Sequence, residues 1–394
     1  MKILVISPRV PAKGKKGDQV LSFHRLEYLS RSHQIHLICF GGSDEDKSQK
    51  LQLESLGIRV QMVHWSKFEA VFSALRSLFN FNKPFQCALF ESSVFRSVIG
   101  VTISNFRPNV VYAITIRALG SLGLYRGPLF VDMVDSMALN FSRRVNNSRG
   151  LKRFLLNIEY LRVKEYEIQM AKSASFSFVV SNIDKEVIGS DKVIALPLGI
   201  DMQEFNKTPD RNADPVVTFT GNMHYQPNVD AVVWFYKNCW ARLQQLIPNV
   251  RLVVAGSNPQ PEIIAMRSDK VLVTGRVESI AAVLNSSRVS IAPMQSGSGM
   301  QFKILEAMAC GVPVVTTSLG LGDIAATDGK EILVVDSPDL FSDAVASLLK
   351  SNELNATIGD AGLRYVKQHH SWDVINDRFE QILISTTNNY LTCQ

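Results

Sequence analysis

The sequence predicts an α/β protein of two doubly wound parallel-sheet domains, and three observations carry that prediction. The chain has 394 residues, more than one ordinary hydrophobic core accommodates. Its second half alternates short apolar runs with helix-like segments, the pattern of a parallel sheet with helical crossovers. Each half also holds a strand that ends in a glycine-bearing loop and reopens as a helix, which is how open α/β sheets build a ligand crevice. With 46% hydrophobic and 20% charged residues the composition is that of a globular protein, which excludes a disordered or fibrous chain.

Residues 2–7 read as a buried strand. A long loop follows, 8–17, with Pro8, Pro11, Gly14 and Gly17, and then a helix that Asp18 begins and Val20, Leu21, Leu26 and Leu29 fill. The end of the first strand in such a sheet faces the crevice, so this loop is a candidate wall of the site; Gly-x-Gly-x-x-Gly is absent, which excludes a dinucleotide fingerprint. Lys13, Lys15 and Lys16 suit phosphates and suit a solvated basic loop equally well. Strands are expected at 35–40 and 58–64. From 67 to 105, phenylalanines such as Phe68, Phe72, Phe79 and Phe90 interleave with Lys67, Arg76, Lys83 and Arg96. Such a stretch can lie in a membrane interface, and packing on the sheet is the favoured expectation.

Further strands are expected at 109–114 and 129–134, with a short helix over 115–122 between them. The second strand runs into Asp132 and Asp135, carboxylates at a strand's C-terminal end, where open sheets place ligands; capping of the next segment is the competing reading. A charged helix over 151–172, holding Glu159, Glu165 and Glu167, reads as structural. After a strand at 175–180 and a helix near Asp184, Pro197 and Gly199 suit a turn into a hinge. The domains are therefore taken as 1–201 and 206–371. Strands in the second are expected at 216–220, 251–255, 271–273, 289–292, 312–316 and 332–335, and Asn228 is read as the cap of the first helix. Leu319 to Asp323 reads as a second glycine-rich turn.

The chain is organised around the stretch from Gly297 to Thr316. Gly297 and Gly299 let the backbone turn tightly and bring N–H groups to an anion. A helix from about Met300 to Ala309 points its positive end at that loop, with Phe302, Leu305, Met308 and Ala309 inward. Gly311 fits a C-terminal cap and Pro313 blocks continuation. Lys303 and Glu306 fall on the opposite face. A Lys there can meet a diphosphate and a Glu can accept from sugar hydroxyls, although an exposed i,i+3 ion pair has the same spacing.

This stretch resembles the donor-binding signature of the retaining glycosyltransferases of family 4. The resemblance implies a GT-B fold: two Rossmann-like doubly wound parallel-sheet domains facing across a cleft, with the final helix, about 372–394, packing back on the first domain. In that family the Lys at the position of Lys303 contacts the donor diphosphate and the Glu at that of Glu306 binds the ribose. The family's second Glu, on the transferred sugar, is Ser298 here, and its Arg after the first glycine turn is Asn222, for which Arg276 is a candidate substitute. The implied donor set is Gly14, Gly17, Gly221, Asn222, Arg276, Val277, Gly297, Ser298, Gly299, Met300, Gln301, Lys303 and Glu306. Asp135, ahead of Asp132, joins Lys303 as a catalytic candidate. Neither cofactor nor metal is implied, since helix dipole and Lys303 can stabilise the leaving charge, and the substrate is a nucleotide-diphosphate sugar. Retention follows from the resemblance, with the donor phosphate helping deprotonate the acceptor.

The formal net charge of +6 divides unevenly, with 27 Lys and Arg against 18 Asp and Glu in residues 1–205. An anionic membrane surface is the better candidate partner for that half, because zinc spacings and aromatic RNA-binding signatures are absent and nucleic acid is not expected. Five scattered cysteines without metal-ligand spacing read as reduced thiols, and no apolar run is long enough for a membrane span. The expected setting is cytoplasmic, at the inner face of the membrane, with a surface glycan or lipid-linked acceptor. Two alternatives stay open: a nucleotide-sugar epimerase of the same architecture, and a catalytically silent partner subunit, to which Ser298 and Asn222 lend weight.

Overall fold

The computed structural model describes residues 1–13, 17–77, 83–123, 125–146, 148–209, 214–296 and 300–392. It divides into two compact units, Met1–Leu198 with Ile375–Gln394, and Gly199–Val374.

The first unit is built on seven strands, β1 (Lys2–Ser7), β2 (Gln34–Phe40), β3 (Arg59–Val63), β4 (Val110–Ile114), β5 (Leu129–Val134), β6 (Phe176–Val179) and β7 (Val193–Ala195). All pairs are parallel, in the order β3-β2-β1-β4-β5-β6-β7. Strand β1 is apolar at every position from Ile3 to Ile6 because both faces of the sheet are covered: Leu4 and Ile6 pack into one layer, Ile3 and Val5 into the other. β7 was not foreseen. It is three residues long at the sheet edge, too short to show a period.

The second layer is completed by the last helix, Trp372–Thr392, whose Ile375, Phe379 and Leu383 are buried in it. Phe379 packs on Tyr112 and Phe178, and the Arg25 guanidinium lies 4.4 Å above its ring. Arg25 is fully buried and paired with Asp132, which also accepts from the Tyr112 hydroxyl at 2.7 Å. The nearby carboxylate and phenol hold the guanidinium protonated, above its ordinary range, against the opposing effect of burial. Asp132 is thus committed to an internal ion pair.

Glu167 has a similar internal duty. From helix Gly150–Ser173 its buried carboxylate accepts from the Met137 N–H at 2.6 Å and the Ser136 hydroxyl at 3.0 Å, capping helix Met137–Asn146; burial still pushes its pKa up to about 7. The stretch from 67 forms three helices, Lys67–Ser77, Phe85–Ala88 and Ser93–Phe106. The third packs Phe95 and Ile99 against the sheet as expected, whereas the first buries Ala70, Ala74 and Ser77 and leaves Phe68, Phe72 and Leu75 in solvent.

The second unit has six parallel strands, β8 (Val216–Thr220), β9 (Arg251–Ala255), β10 (Val271–Gly275), β11 (Val289–Ala292), β12 (Val314–Thr316) and β13 (Leu333–Val334), ordered β10-β9-β8-β11-β12-β13. Val217, Phe219, Leu252, Val254 and Ile291 fill one face; Ala292, Val314 and the helix Phe302–Ala309 fill the other. The α/β fold class expected from the alternating pattern is the one observed. Among the described residues no helix is long and apolar enough to cross a membrane.

Candidate functional site

The strand order of the second unit reverses between β8 and β11, and the carboxyl ends of two such strands open a crevice. Three segments line it. Gly221 follows β8, where a Cβ would stand 2.8 Å from Asn228 Nδ2; a Cβ on Gly256, after β9, would fall 1.8 Å from the Gly221 carbonyl oxygen. The turns after β8 and β9 approach this closely only because that position carries no side chain. After β11, residues 293–296 are tied to the neighbouring strand end: Thr316 Oγ1 donates to the Ala292 carbonyl and Thr317 Oγ1 to the Met294 carbonyl, each at 2.8 Å. The third segment is helix Phe302–Ala309.

That helix ends in a Schellman turn. The Gly311 N–H donates to Met308 O and the Val312 N–H to Ala307 O, with Gly311 at φ 65°. It starts at Phe302, two residues later than expected, and Gln301 occupies its N-cap position. Ile304, Leu305, Ala307, Met308 and Ala309 are all buried, so the apolar face is wider than the predicted stripe. Lys303 and Glu306 are consequently half-buried rather than solvent-facing.

Lys303 Nζ donates to Asn228 Oδ1 at 2.6 Å and to Gln301 Oε1 at 3.1 Å, lies 3.5 Å from Met294 Sδ, and sits 5.0 Å above the Phe219 ring. Every one of these contacts is neutral. Burial lowers its pKa to about 8, against a smaller opposing effect of Glu306. Burial pushes Glu306 up to about 7, helped by Glu204 and opposed by Lys303. The helix therefore holds a desolvated cation and a desolvated carboxyl one turn apart, a pair matched to an anion and to hydroxyl donors. The expected alternative, an exposed salt bridge, does not form.

Asn228 is the residue that sequence reasoning misplaced. It is not a cap: helix Gln226–Asn238 has Tyr225 at that position, and the buried Asn228 amide joins Lys303 through Oδ1 to the Asn222 carbonyl through Nδ2, at 3.0 Å. Its spacing seven residues after Gly221 is the only trace of this in the sequence. Asn222 is exposed, and its side chain accepts from the His224 N–H at 3.0 Å in an Asx turn. Arg276 is exposed and Val277 half-buried just past β10, two strands from β8. Met300 precedes the helix, half-buried. Of Leu319 to Asp323 the first three residues lie in helix Ser318–Leu321 and the last two form the turn, with Gly320 packed against Ala292 and Thr316. Gly297, Ser298 and Gly299 lie outside the described residues, as do Gly14, Lys15 and Lys16.

In the first unit the order reverses between β1 and β4. Gly17, at φ 61°, precedes helix Asp18–Leu29. β4 is followed by, and β5 ends in, a β-branched residue with positive φ, Thr115 at 60° and Val134 at 66°. At Val134 the Asp135 N–H donates to Met133 O at 2.9 Å, closing a tight γ-turn, and such strain is retained where its surroundings enforce it. The turn sets Asp135 on the surface. Partial desolvation, with Asp184 and Asp132 nearby, raises its pKa above the usual carboxylate range. Asp132, the second candidate, faces inward to Arg25. Among the described residues no three His, Cys, Asp or Glu side chains are grouped to hold a metal ion.

Residues 214–351 match the family model described as glycosyl transferases group 1. Over 381 residues the chain is 22% identical to an uncharacterised 44.6 kDa protein in the cps region of Klebsiella pneumoniae, covering 89% of this chain and 91% of that one. It is 26% identical to a GDP-mannose-dependent alpha-(1-6)-phosphatidylinositol monomannoside mannosyltransferase of Mycolicibacterium smegmatis, over 48% of this chain and 55% of that enzyme. The fold superposes on Anabaena HepE, solved in complex with UDP, with a TM-score of 0.63 at 15% identity, covering 98% of this chain and 100% of that one. The fold is that of the GT-B glycosyltransferases, and the segment holding Asn228, Lys303 and Glu306 carries the group 1 glycosyltransferase match.

Proposed function

We propose that this protein is a retaining glycosyltransferase that moves a sugar from a nucleotide-diphosphate donor to a surface-glycan or lipid-linked acceptor. One observation carries the reading: among the described residues Lys303 is held in place by neutral groups, at the start of a helix beside a sheet switch point, with Glu306 one turn on. A diphosphate at the helix N-terminus supplies the counter-charge that Lys303 lacks, and ribose hydroxyls supply donors to Glu306. The β8 turn at Gly221 and Asn222 closes the phosphate side, with Arg276 as the substitute phosphate cation, and the Val277 backbone is assigned to the nucleobase. Met300 and Gln301 complete the donor lining on the second unit.

In this reading Lys303 and the helix dipole stabilise the charge that develops on the leaving diphosphate, and no metal is needed. The diphosphate helps remove the acceptor proton, and on the first unit Asp135 is the proposed catalytic carboxylate. HepE binds UDP and the M. smegmatis relative is named for GDP-mannose and a phosphatidylinositol mannoside; both support a nucleotide-sugar donor, and the second supports a lipid-linked acceptor. The buried thiols of Cys39, Cys87, Cys239 and Cys310 fit a cytoplasmic setting.

The test is turnover of a panel of nucleotide sugars in the presence of membrane extract and EDTA, with the anomeric configuration of the product read by NMR. Transfer with retention is the expected result. Inversion overturns the mechanism, and acceptor-independent isomerisation identifies an epimerase. Tight nucleotide binding without turnover identifies a silent subunit, a reading that the Asn222 side chain's engagement in its own turn favours.

A further inference from the structure

The geometry points to a membrane-docking surface on the first unit, and we propose that its partner is an anionic lipid bilayer. Helix Lys67–Ser77 is turned inside out: its small residues Ala70, Ala74 and Ser77 are buried, while Phe68 and Phe72 are 83% and 64% exposed and Leu75 and Val71 stand beside them. Large apolar groups on a water-facing helix stripe lose solvation free energy that a bilayer interface returns.

A second element continues this surface. Ser77, the last residue of that helix, accepts through its carbonyl from the Arg162 guanidinium on helix Gly150–Ser173. N-terminal to Arg162 the same helix opens to solvent, with Leu151 and Phe154 at 74% and 62% exposure and Leu155 and Leu161 also exposed. Residues 151, 155 and 162 share one helix face and 154 and 161 its flank, so the uncovered stripe leads to the point where the first helix sits.

Charge selects the occupant. Residues 136–158 contain five cations, Arg143, Arg144, Arg149, Lys152 and Arg153, and no Asp or Glu. All five are exposed, and Arg149, Lys152 and Arg153 are sequence neighbours of Leu151 and Phe154. A second copy of this chain would bring the same five cations against themselves, and the cores of protein interfaces are depleted of charge. Anionic headgroups complement them, and long basic side chains can reach those headgroups while the apolar residues enter the acyl boundary. The surface asks nothing of the donor site, so it stands or falls separately from the transferase reading.

Co-sedimentation of the full chain with phosphatidylcholine vesicles, with and without phosphatidylglycerol, tests this. Binding is expected only with phosphatidylglycerol and should fall as salt is raised. The variants Phe68→Ser with Phe72→Ser, Leu151→Ser with Phe154→Ser, and Arg149→Glu with Lys152→Glu and Arg153→Glu should each weaken it at least about tenfold, with thermal unfolding unchanged. If a serine variant unfolds, the charge-reversed one decides. Equal binding to both vesicle types, no binding to either, or full binding by the charge-reversed variant overturns the proposal. So does a dimer in sedimentation velocity that Phe68→Ser with Phe72→Ser abolishes while vesicles remain unbound, an outcome that assigns the face to a second copy.

Discussion

Donor affinity should be bell-shaped in pH, and the two limbs belong to two named residues. In the free protein Lys303 titrates near 8 and Glu306 near 7, both displaced by burial. A bound diphosphate favours the ammonium and returns Lys303 toward its ordinary ~10.5, so the complex holds more protons than the free protein and affinity falls as pH rises through 8. Ribose hydroxyls favour the ionised form of Glu306 and return it toward ~4.5, so binding releases protons and affinity falls as pH drops through 7. From these displacements the dissociation constant at pH 6 or pH 9 should exceed that at pH 7.5 by about sixfold, or about 1.1 kcal/mol.

Calorimetry with a nucleoside diphosphate sugar, whose phosphates do not ionise in this range, measures both limbs. In buffers of different ionisation enthalpy it should also register proton uptake at pH 8.5 and release at pH 6.5. Lys303→Ala should weaken binding by about 1.5–3 kcal/mol and erase the alkaline limb, and Glu306→Gln should erase the acid limb. A dissociation constant flat from pH 6 to 9, or an alkaline limb that survives Lys303→Ala, refutes the assignment of these groups to the donor.

Asn228→Asp places a carboxylate beside Lys303 in almost unchanged shape. It should raise the Lys303 pKa and weaken donor binding by at least about tenfold through competition with the diphosphate, read by the same calorimetry. Arg25→Met leaves the Asp132 carboxylate without its cation in the core of the first unit and should cost about 3–5 kcal/mol in urea unfolding. Adding Asp132→Leu should recover most of that loss; a double variant no more stable than Arg25→Met would show that the ion pair is not what the site depends on.

The architecture was legible because both sheets are covered on both faces. β1 and β4 are then unbroken apolar runs, and such runs need no partner to be recognised. The helix end at Gly311 was legible as well, since its cap depends on one residue and its positive φ. What escaped was set by distant contacts. Glu167 caps a helix some thirty residues before it in the chain, and Asn228 holds an ammonium 75 residues away; in the sequence both look like ordinary helix polar residues. The inversion of helix Lys67–Ser77 was hidden for a related reason. Its pattern is amphipathic, and periodicity gives the stripe without saying which side meets water.

The first unit's core is closed by Phe379 and Leu383, which the ribosome makes after the whole second unit. Synthesis order and folding order are therefore crossed: a nascent chain paused before residue 375 carries a complete second sheet domain behind a first one whose Tyr112 and Phe178 still lack their lid. Protease treatment of such stalled chains should spare residues 199–374 and cut ahead of them, and that interval is when a chaperone would have most to hold.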